Sequence, residues 1–344
     1  MANSWKIALA FALAAGTAAP ALADGEVNIY SYRQPDLIKP LLDRFTQETG
    51  IATNVLFLDK GLVERIQAEG ENSPADIILT VDISRLTEAK DAGVTQPIKS
   101  AVVDTDIPAQ YRDPDGAWVG LTTRGRVVYA SKDRVAQDTI TYEELADPKW
   151  KGKICIRDAQ HSYNVGLIAS LIAHEGEAKA EEWLKGLKAN LARKPDGGDR
   201  DQAKAIFAGE CDIALGNTYY VGLMMTNDKE TEQKDWANSI KVLFPNSNDR
   251  GTHVNVSGVA LAKNAPNKEN AQKLIDFLAS GEAQEIYAEQ VYEYPVMPGK
   301  EPSDIVKSFG TIKPDTLPLA EIAANRKKAS ELVDKVGVND GPAN

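Results

Sequence analysis

Histidine and cysteine are scarce in this chain, and their scarcity removes whole classes of chemistry. The three histidines, His161, His174 and His253, are scattered, and none stands in an HExxH or HxH pattern, so a catalytic zinc site has no support. Cys155 and Cys211 are the only cysteines, and without CxxC spacing they make neither a zinc ribbon nor a thioredoxin-type redox motif. No GxSxG or Walker sequence occurs, and Gly120 and Gly125 lack dinucleotide-loop spacing. An exported hydrolase or transferase would need a nucleophile, a base and an orienting group, and no such set is found. Internal repeats and low-complexity segments are missing as well. Positive charge is in deficit, with 39 Lys and Arg against 50 Asp and Glu and a net charge of -11. That balance argues against nucleic acid or an anionic membrane as partner, and it tolerates a cationic cargo. No apolar run reaches the ~20 residues that span a bilayer.

What is present begins with a leader. Lys6 supplies positive charge, Ile7 to Ala15 is a short apolar run, and Ala21-Leu22-Ala23 is a small-x-small cleavage site. The mature chain is expected to start at Asp24 and, with no cysteine there to carry a lipid, to be exported unanchored. A bacterial periplasm is the natural compartment. In an oxidising compartment an even pair of cysteines favours a disulfide over two free thiols. Lys153-Ile154-Cys155-Ile156 and Cys211-Asp212-Ile213-Ala214-Leu215 both read as strands, so neighbouring strands can bring Cys155 and Cys211 together. Closing such a loop contributes roughly 4 kcal/mol in the chain-entropy model.

The body of the chain exceeds the size that one core usually serves, and two domains are expected. Val27–Tyr30 reads as a first strand. A helix follows with Leu37, Ile38, Leu41, Leu42 and Phe45 on one face, ended by Gly50. Ala52–Leu58 is a strand, Leu62–Glu69 a helix and Asp76–Val81 a strand; Ser84 is placed to cap the helix that ends at Gly93. This βαβαβ order predicts a parallel, doubly wound sheet with ligands at the carboxyl ends of its strands. A second α/β unit has strands near Val127–Tyr129, Ile154–Ile156 and Ile213–Leu215, with helices near Val165–His174, Glu177–Ala189 and Gln202–Ala208. Val256–Leu261 returns as a strand, Lys268–Leu278 is helical, Leu317–Val336 is a long amphipathic helix, and the polar tail Gly337–Asn344 is expected to fray. Asp196-Gly197-Gly198-Asp199 reads as a turn, and His161 as a solvated loop residue.

The tyrosines carry the chemistry. Tyr219 and Tyr220 are adjacent in Gly216-Asn217-Thr218-Tyr219-Tyr220-Val221-Gly222, and Tyr163 lies in Gln160-His161-Ser162-Tyr163-Asn164. A phenolate is a hard anionic oxygen donor suited to a hard, highly charged cation. A free tyrosine titrates near about pH 10, so it needs a strong local cation to ionise at neutral pH. In an exported chain poor in histidine, clustered phenolates point to ferric iron. The competing reading is of packing aromatics with satisfied hydroxyls.

These segments together resemble the periplasmic ferric-iron-binding proteins of ABC importers, over essentially the whole mature chain. The resemblance is carried by Asn28-Ile29-Tyr30-Ser31-Tyr32-Arg33, Phe45-Thr46-Gln47-Glu48-Thr49-Gly50-Ile51, Ala75-Asp76-Ile77, Thr123-Arg124-Gly125-Arg126-Val127-Val128-Tyr129 and Gly216-Asn217-Thr218-Tyr219-Tyr220. The first three recur in solute-binding proteins of many specificities; Asn-x-Tyr-Tyr with Tyr163 upstream is the specific one. The resemblance implies an α/β, two-lobed fold of the type II, transferrin-like class with a cleft between lobes. One lobe is expected at 24–123 plus 249–298 and the other at 124–248 plus 299–344, with crossing strands near Val127–Ser131 and Val242–Pro245. Closure about a hinge is implied as well.

Carried over residue by residue, Tyr163, Tyr219 and Tyr220 match the second lobe's ligands, and three phenolates would neutralise Fe³⁺. Thr218 is expected to cap a short helix there, because in a strand adjacent side chains point to opposite faces. The first loop departs from the family: Tyr32-Arg33-Gln34-Pro35 has glutamine where histidine is common. Tyr32 is expected as the fourth ligand, the alternative being that it lines the cleft while water or a small anion completes the shell. Arg33, Arg126 and Gln34 are expected around the ligands, and Arg33, Arg124 and Arg126 have a role in offsetting phenolate charge or holding a synergistic anion such as carbonate. For each arginine the alternative is a surface ion pair. The resemblance further implies a monomer that delivers its cargo to an inner-membrane permease. A same-fold protein for an organic or anionic solute is the competing function.

Overall fold

The computed structural model describes residues 25–342; the leader expected over Met1–Ala23 lies outside the described residues. The first half opens with β1 (Glu26–Ser31), α1 (Pro35–Thr49), β2 (Ala52–Phe57), α2 (Leu62–Glu69), β3 (Ile77–Thr80) and α3 (Ile83–Asp91). β1 pairs in parallel with β2 on one side and β3 on the other, as a βαβαβ unit requires. α1 starts at a proline, where a missing N–H costs nothing, and buries Ile38, Leu41, Leu42 and Phe45; Gly50 ends it in the left-handed region at φ 72°. The cap of α3 is Asp82 and not Ser84. The carboxylate of Asp82 accepts the N–H of Ser84 at 2.8 Å, while Ser84 lies inside the helix.

After β4 (Thr95–Gln96) and α4 (Ala101–Asp106) comes the element that joins the two halves, β5 (Val119–Ser131), buried along its whole length. Its Val119–Gly125 stretch pairs antiparallel with β9 (Val254–Ala262). Its Arg126–Ala130 stretch pairs antiparallel with β7 (Ile213–Asn217), and Val128–Ser131 with β8 (Ile240–Leu243). The strand order is β2-β1-β3-β9-β5-β7-β6, with β6 at Ile154–Cys155. The sheet is therefore mixed. Parallel pairing holds for β1–β3 and for β6 with β7, but β9 pairs antiparallel with both β3 and β5, and β5 antiparallel with β7 and β8. The crossing strand also begins at Val119, before the expected Val127.

The second half contributes α5 (Ser162–Glu175), α6 (Glu177–Asn190), α7 (Asp199–Phe207), α8 (Thr218–Met225) and α9 (Glu232–Ser239). Cys155 on β6 and Cys211 just before β7 form a disulfide, with Cα atoms 5.9 Å apart. The chain then runs through α10 (Lys268–Ala279), α11 (Gly281–Ile286), a π-turn at Tyr287–Val291 and β10 (Tyr294–Pro295), which pairs with Thr122 and Thr123 of β5. It ends with α12 (Asp304–Lys307) and α13 (Leu319–Val336), the latter packed on α5, α6 and α3. The tail does not fray up to residue 342: Val338 is buried, and the Asn339 side chain accepts the Ala159 N–H and donates to Asp158. Both sheet faces are covered. One core gathers Ile29, Leu41, Phe45, Ile77 and Leu274; another runs through both halves by way of Ile78, Leu86, Val128, Leu215 and Ile322. Among the described residues no helix is long and apolar enough to cross a membrane.

Candidate metal site

Two helix starts create the site. Tyr163 lies in the first turn of α5, capped by the His161 ring, which accepts the Tyr163 N–H at 3.3 Å. Tyr219 and Tyr220 lie in the first turn of α8, immediately after β7. This helix start is what lets neighbouring residues share a direction: the Tyr219 and Tyr220 rings are 4.2 Å apart and only 32° out of parallel. The Tyr163 and Tyr219 hydroxyls stand 3.1 Å from each other. The cap differs from expectation. Asn217 is the N-cap and makes no side-chain cap bond, while Thr218 is the first helical residue and its hydroxyl accepts the N–H of Gly125. Tyr129 fixes the turn from below, donating to the Asn217 carbonyl at 2.5 Å with its ring in the space a Cβ on Gly216 would occupy. Only glycine allows that approach.

The surroundings are cationic. The guanidinium carbons of Arg157, Arg124 and Arg126 lie 5.2, 5.6 and 5.9 Å from the Tyr163 ring centre, and that of Arg200 lies 5.3 Å from the Tyr220 ring. Arg126 is buried and fully engaged at its two terminal nitrogens, which donate to Asp199 at 2.7 Å, Asn164 at 2.7 Å and Asn217 at 3.1 Å. Asp199 is buried too and also receives Arg157 and the Asn217 N–H. Burial would raise its carboxyl, but the two guanidiniums and that N–H outweigh it and hold it below the usual range. Asp199 was legible only as part of a turn; nothing local in the sequence marks it as the carboxylate between two arginines.

Without a cation Tyr219 and Tyr220 resist ionisation. Burial drives the Tyr219 hydroxyl well above its ordinary value, and the nearby Tyr163, Tyr220 and Asp199 add to this. Burial raises Tyr220 as well. Against this stand the arginines and the positive ends of two helix dipoles, which favour negative charge.

The opposite wall carries Arg33. Its guanidinium is buried and donates to Glu293 at 3.0 Å and to the Ser257 hydroxyl at 2.8 Å; Thr122 also donates to Glu293. Burial alone would raise the Glu293 carboxyl, yet Arg33 and Arg124 keep it lowered. Arg124 is buried as well. One of its terminal nitrogens reaches Ser257 at 3.3 Å, and the other has no hydrogen-bond partner among the described residues. Neither Arg124 nor Arg126 is a surface ion pair. Glu293 escaped the sequence reading, because its partner Arg33 lies 260 residues away and nothing local marks the pairing.

The structure does not bring Tyr32 into the cluster. Its hydroxyl accepts the Leu62 N–H at 3.3 Å, its ring lies under the Arg85 guanidinium at 3.7 Å, and it packs with the Leu62 and Ile83 core. None of its hydrogen bonds or ring contacts is to Tyr163, Tyr219 or Tyr220. Gln34 is exposed at the head of α1, with no side-chain bond there. His161 is not a solvated loop residue: besides capping α5 it sets its ring edge-on to Tyr163 at 4.4 Å, and burial, then Arg157, pushes its pKa down to about 3. His253 is buried behind Arg124 and Arg126, and burial and those charges push it to about 3 as well.

Among the described residues no group of three or more His, Cys, Asp or Glu side chains could hold a metal. The hard oxygen atoms that converge at these two helix starts are those of the phenols. Two oxygens 3.1 Å apart match neighbouring ligands on one small ion, since bonds of about 2 Å at right angles put their oxygens about 2.8–3 Å apart.

A two-lobed α/β fold with an oxygen-lined site is that of a binding protein, and residues 72–308 match the model of the bacterial extracellular solute-binding protein family, to which the chain belongs. It is a binding protein and not an enzyme. Iron uptake protein A1 of Synechocystis sp. is 44% identical over 315 residues, which cover 91% of this chain and 87% of that protein. Among solved structures, the apo ferric ion-binding protein A of Pasteurella haemolytica is 53% identical, with a TM-score of 0.88 over 92% of this chain and 98% of that one. The Trichodesmium protein in complex with iron and citrate ligands is 44% identical, with a TM-score of 0.84 over 91% and 99%.

Proposed function

We propose that this chain is a periplasmic solute-binding protein that captures Fe³⁺ through the phenolates of Tyr163, Tyr219 and Tyr220 and delivers it to an inner-membrane ABC permease. The observation that carries the reading is the convergence of three phenols at two helix starts, two of their oxygens 3.1 Å apart, with no softer donor set nearby. The relatives named for iron support it. Three phenolates balance the charge of Fe³⁺. Asp199 then offsets one of Arg126 and Arg157, Glu293 offsets Arg33, and Arg124, Arg200 and the other of Arg126 and Arg157 remain. That surplus, with the spare donor of Arg124, favours a small anion such as carbonate or citrate completing the metal's shell. In this reading Arg33 and Arg124 face the anion. Arg126 holds Asp199, Asn164 and Asn217 in place, and Tyr32 lines the cleft outside the ligand set.

Each phenol must lose its proton to bind, so affinity falls as pH falls. Ferric citrate added to the purified protein should give a visible phenolate-to-iron band that Tyr163→Phe removes. No band, together with no thermal stabilisation by iron, would move the assignment to an organic solute carried by the same fold.

A further inference from the structure

Tyr292 is one of two non-glycine residues with positive φ among the described residues, at 60°, and it is buried. A side chain in the left-handed region is costly, and such strain persists only where the surroundings impose it. The neighbours explain what imposes it here. The Tyr292 ring lies on Gly222 of α8 so closely that a Cβ there would be 2.5 Å from the ring's Cγ. Its hydroxyl donates to Thr226 Oγ1 at 3.0 Å, and Thr226 in turn donates to the Gly222 carbonyl at 2.9 Å. Tyr219 belongs to the same apolar cluster as Tyr292. The next residue, Glu293, turns the other way and takes Arg33, Ser257 and Thr122. Two consecutive side chains thus reach opposite parts of the site, one gripping the helix of the tyrosine pair and the other the arginine of the first loop. Tyr292 is also the left-handed C-cap of the π-turn, its N–H donating to the Tyr287 carbonyl, so the chain reverses at this residue.

We infer that Tyr292 is a positioning residue. By seating in the Gly222 notch it sets the tilt of α8, and so the placement of the Tyr219 and Tyr220 oxygens relative to Arg33. This rests on the ferric reading of the site above. Gly222 is then required as the notch, not for helix formation, in which glycine is a poor choice.

The test is a mutant cycle on the purified protein, read by iron affinity in competition with citrate and by the maximum of the phenolate-to-iron band. Gly222→Ala should weaken iron binding about 10- to 100-fold, the range of supporting residues around metal ligands, and shift the band. Tyr292→Phe, which loses only the hydroxyl bond, should lose less. When Tyr292 is already alanine, adding Gly222→Ala should cost little, because the ring it collides with is gone. Equal losses with and without Tyr292 would overturn the proposal. So would variants that lower only the melting temperature of the iron-free protein while affinity and band stay unchanged. A parent protein with no band and no iron binding would instead overturn the ferric reading itself, and the parent in every series keeps the two failures apart.

Discussion

Tyr32 and Tyr219 are both buried tyrosines, 8% and 3% exposed, yet they have opposite surroundings. The Tyr32 hydroxyl accepts a backbone N–H and its ring faces an arginine. The Tyr219 hydroxyl meets another phenol at the head of a helix. The first is a satisfied aromatic of the kind any core contains. The second is a hydrogen-bonded pair of phenols that, in the ferric reading proposed above, ionise together on a multivalent cation. Residue type and burial do not make a ligand; what stands opposite the oxygen does.

The contrast can be broken in several places, and the largest effect lies outside the tyrosines. Glu293→Gln leaves Arg33 as a buried charge without its partner, and stability should drop by about 3–5 kcal/mol in urea unfolding; a drop below about 1 kcal/mol would mean that the Ser257 hydroxyl and the new amide oxygen suffice as acceptors. Next, Tyr163→Phe and Tyr219→Phe should each weaken iron binding by more than about 100-fold, beyond what supporting residues cost, while the iron-free proteins stay as stable as the parent. Binding like the parent's in either variant would remove that tyrosine from the ligand set.

Acid gives a third test. Because the folded Glu293 carboxyl is lowered, its contribution is present above the unfolded value of about 4.3 and is lost as pH falls through the folded value. The urea midpoint should therefore decline on acidification below that point, and less steeply in Glu293→Gln; identical slopes would assign the decline to other carboxylates. The smallest effect is expected at Tyr32→Phe, about 1 kcal/mol for a lost hydrogen bond, with iron affinity within a few-fold of the parent. Loss of iron binding there would erase the contrast and make Tyr32 a fourth ligand.

Much of this was legible beforehand because it is local. The 3.6-residue rhythm of Leu37 to Phe45, the stop at Gly50 and the tyrosine pair next to Asn217 are all written in short windows. The misses are non-local or depend on one atom. Asp82 took the cap from Ser84 because its backbone is extended where a cap must be. β5 and β9 turned a parallel sheet into a mixed one because pairing partners far apart in sequence decide direction. Glu293 and Asp199 are carboxylates with no local sign of the arginines they meet.

The sequence alone made legible the main element types, two cysteines within reach of one disulfide and a set of hard oxygen donors, since periodicity and residue type are properties of the chain. Tertiary structure decided which tyrosines converge, which arginines keep spare donors and which carboxylates neutralise the rest. Those outcomes depend on distances between segments 38 to 260 residues apart, and in a buried site charge is settled by distance.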